Sequence, residues 1–130
     1  MSKENINLTQ AEWQVMEILW QGKEFTGREI VDALSKSEGW SRSTILTLLS
    51  RLENKGIVSS NTDGALKTFS AVLGREDAAL FETESLLSKL YGGSLSLMVS
   101  TLAQRENLSR SEIDELYDVL RRLEEGNRDA

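Results

Sequence analysis

The stretch Trp40-Ser41-Arg42-Ser43-Thr44-Ile45-Leu46-Thr47-Leu48-Leu49-Ser50-Arg51-Leu52, closed by Glu53-Asn54-Lys55-Gly56, decides how the rest of the chain is read. Ile45, Leu48, Leu49 and Leu52 recur at i, i+3, i+4 and i+7, the spacing of one apolar face of an α-helix. Ser43, Thr44, Thr47, Ser50 and Arg51 fall elsewhere on that helix. Solvated faces ordinarily carry Glu and Lys. Short hydroxyls beside a guanidinium suit close approach to a sugar-phosphate backbone and to base edges. The stretch therefore reads as a recognition helix for a DNA major groove. A Ser/Thr-rich helix buried against a neighbour is the alternative.

The flanks support a helix-turn-helix. Thr26-Gly27-Arg28-Glu29 is a capping box, in which the threonine and the glutamate three residues later satisfy each other's free backbone N–H groups. It opens a helix with Ile30, Val31, Ala33 and Leu34 inward, running to about Lys36. The turn Ser37-Glu38-Gly39 leads to Trp40, expected to plug the seam between helices, and to Ser41 as the next cap. Upstream, Thr9-Gln10-Ala11-Glu12 repeats the capping box and starts a helix carrying Trp13, Met16, Ile18, Leu19 and Trp20, ending near Gly22. Trp13 and Trp20 are seven residues apart and share a core face.

Downstream, Lys55-Gly56 closes the central helix with a basic last turn and a left-handed glycine. Ile57–Ser60 and Lys67–Val72 alternate and are rich in β-branched residues, and Asp63-Gly64 between them signals a turn. Three helices followed by a hairpin make a winged helix, whose wing lies along phosphates or the minor groove. There Lys67 and the polar tip Asn61–Gly64 come within reach of DNA. An edge hairpin that only covers the core is the alternative.

Beyond Gly74, a plausible hinge, Ala78, Phe81, Leu86, Leu87 and Leu90 indicate a helix from Arg75 to Tyr91, stopped by Gly92-Gly93. Leu95, Leu97, Met98, Val99 and Leu102 form a strongly apolar second piece. Ser109-Arg110-Ser111-Glu112 is a third capping box, starting a helix with Ile113, Leu116, Tyr117, Leu120 and Leu123 on one stripe. The polar tail Glu124–Ala130 is expected to fray. So short an appendage cannot bury this much apolar surface alone. Pairing with a second copy through Leu87, Leu90, Leu95, Met98, Val99, Leu102, Ile113, Leu116, Tyr117 and Leu120 would solve that. Such a two-fold dimer presents two recognition helices about one DNA turn apart, matching a palindrome. The alternative is a bundle folded back on the winged helix. The expected fold is thus mainly α with a small β-hairpin: a winged helix-turn-helix in residues 1–73 and a helical dimerisation region in 74–130.

Composition narrows the chemistry. There is no Cys and no His among the 130 residues, which removes disulfides, thiol nucleophiles, Ser-His-Asp triads and sulfur- or imidazole-based metal sites. The 21 acids include no pair set in an apolar, Gly-flanked context, so no catalytic residue, metal or cofactor is expected. No apolar run approaches the roughly 18 residues of a membrane span, and Met-Ser-Lys-Glu-Asn lacks an apolar signal core. Cytoplasmic residence is the expectation.

A net charge of -6 runs against DNA binding until it is divided. Residues 1–73 hold 8 Lys/Arg against 9 Asp/Glu, whereas residues 74–130 hold 7 against 12. Between Ser41 and Lys67, Arg42, Arg51, Lys55 and Lys67 outnumber Glu53 and Asp63. The acid excess lies mostly away from the expected contact surface. Few cations still mean a modest electrostatic contribution.

The chain resembles the penicillinase-repressor family, which includes the methicillin-resistance and copper-responsive repressors of bacteria. The likeness rests on Leu8-Thr9-Gln10-Ala11-Glu12-Trp13-Gln14-Val15-Met16, on Trp40-Ser41 with Ser43-Thr44-Ile45 and Thr47-Leu48, and on Arg51-Leu52 with Lys55-Gly56. It resumes at Tyr91-Gly92-Gly93, at Glu106-Asn107-Leu108-Ser109 and at Glu112-Ile113-Asp114-Glu115-Leu116. The resemblance implies a dimeric operator-binding repressor, with Thr44, Thr47 and Arg51 on the DNA-facing side of the recognition helix. Ser43 looks like the copper-responsive branch; the penicillinase branch tends to have Lys there.

Two departures stand out. Leu46 occupies a position where the family usually has Lys or Arg; it can touch a thymine methyl but loses a phosphate or guanine contact. The Asn-Phe bond cut on induction in the penicillinase branch aligns with Thr101-Leu102, and the Cys-x-Cys tail of the copper branch has no counterpart here. Neither familiar inducing mechanism is written in this sequence.

Double-stranded operator DNA, a second copy and an unidentified sensor or protease are therefore the expected partners. Ser43, Thr44, Leu46 and Thr47 are assigned to bases, and Arg42, Arg51, Lys55 and Lys67 to phosphates. Ser41 is assigned to the cap and a phosphate. The rival is a winged-helix protein-interaction module whose acidic C-terminal half docks a basic partner. A carboxylate-only enzyme is a more distant rival, with no site to name.

Overall fold

The computed structural model describes residues 7–105 and 107–128. The N-terminal Met-Ser-Lys-Glu-Asn, Glu106 and the tail residues Asp129 and Ala130 lie outside the described residues. The elements run α1 (Gln10–Leu19), β1 (Phe25–Thr26), α2 (Gly27–Glu38), α3 (Arg42–Asn54), β2 (Val58–Asn61), β3 (Thr68–Ala71), α4 (Arg75–Tyr91), α5 (Leu95–Arg105) and α6 (Arg110–Arg128).

The helix starts are where the capping chemistry puts them. Thr9 accepts from the Glu12 N–H at 3.1 Å while the Thr9 N–H donates to Glu12 Oε1 at 2.9 Å. Thr26 and Glu29 repeat the exchange at 3.1 and 2.8 Å. Ser109 and Glu112 repeat it ahead of α6. The helix ends are equally local. Gly39 caps α2 at φ 73 and Gly56 follows α3 at φ 78, a left-handed backbone that glycine enters without a Cβ clash.

The sheet differs from the expected hairpin. β2 and β3 pair antiparallel with Ser60 opposite Phe69, and β1 adds a third strand on the other edge of β3, with Phe25 opposite Phe69. Two residues carry no readable period; β1 exists because β3 offers unpaired backbone groups beside it. Residues 62–67 between β2 and β3 are all exposed, and the Asp63 N–H donates to Asn61 Oδ1 at 2.8 Å to begin the turn.

One core joins α1, α2, α3 and the sheet. Val15, Met16 and Leu19 of α1 meet Ile30 and Leu34 of α2, Ile45, Leu48, Leu49 and Leu52 of α3, then Ile57, Val58 and Phe69. Trp40 packs partly buried against it. Trp13 and Trp20 meet edge to face at 5.1 Å, and the Trp20 indole N–H donates to the Leu73 carbonyl at 2.9 Å. This last bond ties the end of the wing to α1. Arg75 adds a second tie, donating to Glu17 at 3.0 Å.

The chain separates into two compact units, one up to Ser85 and one from Leu86. In the first, α4 begins two residues after Leu73 and buries Ala78. In the second, Gly92 and Gly93 are both left-handed and end α4, and the Ser94 hydroxyl accepts from the Leu97 N–H at 3.2 Å to start α5. α6 continues through Arg128, so the tail expected to fray is helical as far as it is described. Its Glu, Leu and Arg residues are good helix formers, and polarity alone does not unwind a helix.

Candidate nucleic-acid interface

The two sides of α3 have opposite fates. Ile45 and Leu52 are 0% exposed, with Leu48 and Leu49 nearly so, and they fix the helix against α1, α2 and β2. Ser41, Arg42, Ser43, Thr44, Leu46, Thr47, Ser50 and Arg51 are all exposed. The alternative of a buried Ser/Thr-rich helix is thereby removed. Ser43, Thr44, Thr47, Leu48 and Arg51 line one shallow depression along the helix.

The hydroxyls are already organised. Ser41 accepts from the Thr44 N–H at 3.2 Å as the N-cap and donates to Thr44 Oγ1 at 3.0 Å. That spares the Thr44 hydroxyl proton for an outside acceptor. Thr47 Oγ1 donates to the Ser43 carbonyl at 2.8 Å, so outward it offers only lone pairs and its methyl group. Side by side, then, stand a donor at Thr44, an acceptor-plus-methyl at Thr47 and the aliphatic Leu46. Such a mixture of donor, acceptor and apolar groups suits the pattern of major-groove base edges.

The four cations divide in two. Arg42 and Arg51 make no ion pair among the described residues and remain available. Lys55, assigned to phosphates from sequence, instead donates to Glu12 Oε1 at 2.7 Å and to the Asn7 carbonyl at 2.9 Å. Glu12 is 1% exposed, and so deep a carboxylate needs a counter-charge close by. Burial pushes the Glu12 carboxyl up, but the bonds from Lys55 and Thr9 outweigh it and hold the group below its ordinary value. Lys67 stands on the wing 3.9 Å from Glu53 and 5.2 Å above the Phe69 ring. Sequence reasoning missed both carboxylate partners, since nothing local marks pairs formed 43 residues apart, for Lys55 and Glu12, or across the wing, for Lys67 and Glu53.

Among the described residues, no cluster of His, Cys, Asp and Glu is arranged to hold a metal ion. No helix there is long and apolar enough to cross a membrane.

The profile of the penicillinase repressor family matches residues 8–122. The chain belongs to that family. A penicillinase repressor of Staphylococcus aureus is 33% identical over 120 residues, covering 92% of this chain and 95% of the relative. One of Bacillus licheniformis is 32% identical over 113 residues, covering 87% and 88%. The solution structure of the DNA-binding domain of the repressor BlaI superposes with a TM-score of 0.51 at 30% identity, across 55% of this chain and 87% of that one. A second structure, the monomeric form of Bacillus licheniformis BlaI in complex with the blaP half-operator, matches with the same values. The penicillinase repressor family is one of transcriptional repressors, a class of DNA-binding proteins and not of enzymes.

The apolar residues assigned to dimerisation all lie in the unit that begins at Leu86. None is buried: Leu87, Met98 and Ile113 are half-buried, and Leu90, Leu95, Val99, Leu102, Leu116, Tyr117 and Leu120 are exposed. Leu97, Val119 and Leu123 are exposed beside them.

Proposed function

We propose that this penicillinase-repressor family member is a homodimeric transcriptional repressor that occupies a pseudo-palindromic promoter operator in the cytoplasm. The observation carrying this reading is the exposed hydroxyl-and-guanidinium side of α3, held rigidly by the buried Ile45, Leu48, Leu49 and Leu52. Ser43, Thr44, Leu46 and Thr47 meet base edges. Arg42 and Arg51 hold phosphates and Lys67 reaches the backbone from the wing, while Ser41, its hydroxyl proton given to Thr44, serves as the cap. Lys55 acts indirectly, by bracing the end of α3 through Glu12.

Residues 1–73 carry the DNA contact and residues 74–130 join two copies through their apolar faces. Exposed apolar stripes on α5 and α6 need a cover in water. A second copy supplies one of matching chemistry and places two recognition helices on one duplex. The half-operator bound by BlaI at 30% identity supports a half-site as the unit of contact. Release falls to an unidentified sensor or protease.

The test is selection of duplexes from a random pool, followed by titration of the winning sequence against salt. A two-fold-related winner, with affinity falling steeply as salt rises, supports the proposal. Absence of duplex binding at low salt overturns it.

A further inference from the structure

Glu53 is an acid on the last turn of α3, two residues beyond Arg51, where phosphate binding should disfavour one. Its two oxygens are both engaged with the wing. Oε2 accepts from the Ser60 hydroxyl of β2 at 2.9 Å, and Oε1 lies 3.9 Å from the ammonium of Lys67, the residue just before β3. Lys67 is at the same time 5.2 Å above the ring of Phe69, which is buried in the core. The wing's cation is therefore held between a carboxylate on the recognition helix and an aromatic face on the strand that follows it. The Lys67 side chain remains half exposed, so water and phosphate can both reach it.

We propose that Glu53 is a positioning residue that latches the wing to α3 and competes with phosphate for Lys67. The inference rests on the repressor reading and deepens it. On a poorly matched duplex, Lys67 must exchange a carboxylate for a phosphate and leave Glu53 facing the backbone uncompensated. Charge contacts supply nearly all of the sequence-independent binding, so an opposing acid lowers that component first. A matched duplex requires the same exchange, so Glu53 lowers affinity for operator and bulk DNA alike and leaves its signature in the salt slope.

The test is a cycle of wild type, Glu53→Gln, Lys67→Gln and the double variant, titrated on a random-sequence duplex. Glutamine still accepts from Ser60, so the wing stays attached; thermal melting of each variant checks the fold. Glu53→Gln is expected to steepen the salt dependence by one phosphate contact. The ratio of affinities between about 50 and about 200 mM salt then grows about threefold. Lys67→Gln should matter more in the Glu53→Gln background than alone. Additive effects, or an unchanged salt slope in Glu53→Gln, overturn the inference while wild-type binding leaves the repressor reading standing. A wild-type chain that binds neither random duplex nor selected operator defeats the repressor reading itself, and this inference with it.

Discussion

The Lys55 ammonium donates to Glu12 Oε1 at 2.7 Å, joining the end of the recognition helix to the first turn of α1. The same Glu12 oxygen accepts from the Thr9 N–H, and Lys55 donates further to the Asn7 carbonyl. One carboxylate thus completes a helix cap and braces α3. Its other oxygen, Oε2, is buried with no hydrogen-bond partner among the described residues, so the site depends heavily on Oε1. Glu12→Gln removes the charge, keeps the shape and leaves Lys55 partly hydrated. The expected loss is about 2 kcal/mol, the worth of a charge-assisted hydrogen bond with one half-exposed partner. Urea unfolding at neutral pH checks it through a lowered midpoint at unchanged slope.

The same pair sets a pH dependence. Burial raises the Glu12 pKa, yet the Lys55 and Thr9 bonds prevail and leave it below the ordinary 4.5. A carboxyl depressed in the folded state stabilises fully above its unfolded pKa, and that contribution is lost as pH falls through the folded value. The gap in stability between wild type and Glu12→Gln should therefore stay constant from neutral pH down to about 5 and close below 4.5. Urea midpoints measured across that range decide it. A gap that widens as pH falls from neutrality to about 5 would mean that burial, not Lys55, dominates the site.

What was legible in the sequence was whatever is decided within one helical turn or one face. The apolar side of α3 repeats at the helical period, whereas the sequence leaves its hydroxyl side open between surface and buried contact, and packing decides for the surface. The capping boxes at Thr9, Thr26 and Ser109 span four residues each and stand as expected. What was not legible depends on tertiary packing. β1 is too short to show a period and forms only against β3. From charge alone, Lys55 and Lys67 both read as phosphate contacts. Their partners Glu12 and Glu53 become visible only once α1, α3 and the wing are packed together.

The hydroxyl arrangement on α3 predicts different failures for neighbouring residues. Thr47 has already given its proton to the Ser43 carbonyl, so its outward groups are a lone pair and a methyl. Thr47→Val keeps the methyl and removes the acceptor, whereas Thr47→Ser does the reverse. If the acceptor reads a base, Thr47→Val should cost about 1–3 kcal/mol on the selected duplex and shift preference at one position. Thr47→Ser should then be milder. Arg51→Ala should instead weaken binding to all sequences alike and reduce the salt slope by about one contact. Selection and salt titration of each variant check these outcomes. Unchanged preference in both Thr47 variants would remove Thr47 from the base-reading set.

The stripe Ile113, Leu116, Leu120 and Leu123 on α6 carries the prediction for assembly. Leu116, Leu120 and Leu123 are 43%, 57% and 59% exposed, a continuous apolar edge along a helix otherwise covered with charge. Glutamate at two adjacent positions of that edge, Leu116→Glu with Leu120→Glu, would place two carboxylates in the middle of the proposed interface. Unpaired charge buried at an interface costs several kcal/mol, enough to dissociate a dimer at micromolar concentration. The variant should sediment as a monomer where wild type sediments as a dimer. The winged-helix core lies in the other unit and holds none of these side chains, so its thermal transition should persist. Binding to a single half-site should survive, while the gain from a second half-site disappears. A wild-type chain that sediments as a monomer, or a variant that keeps the two-site gain, would show that the stripe has a different cover.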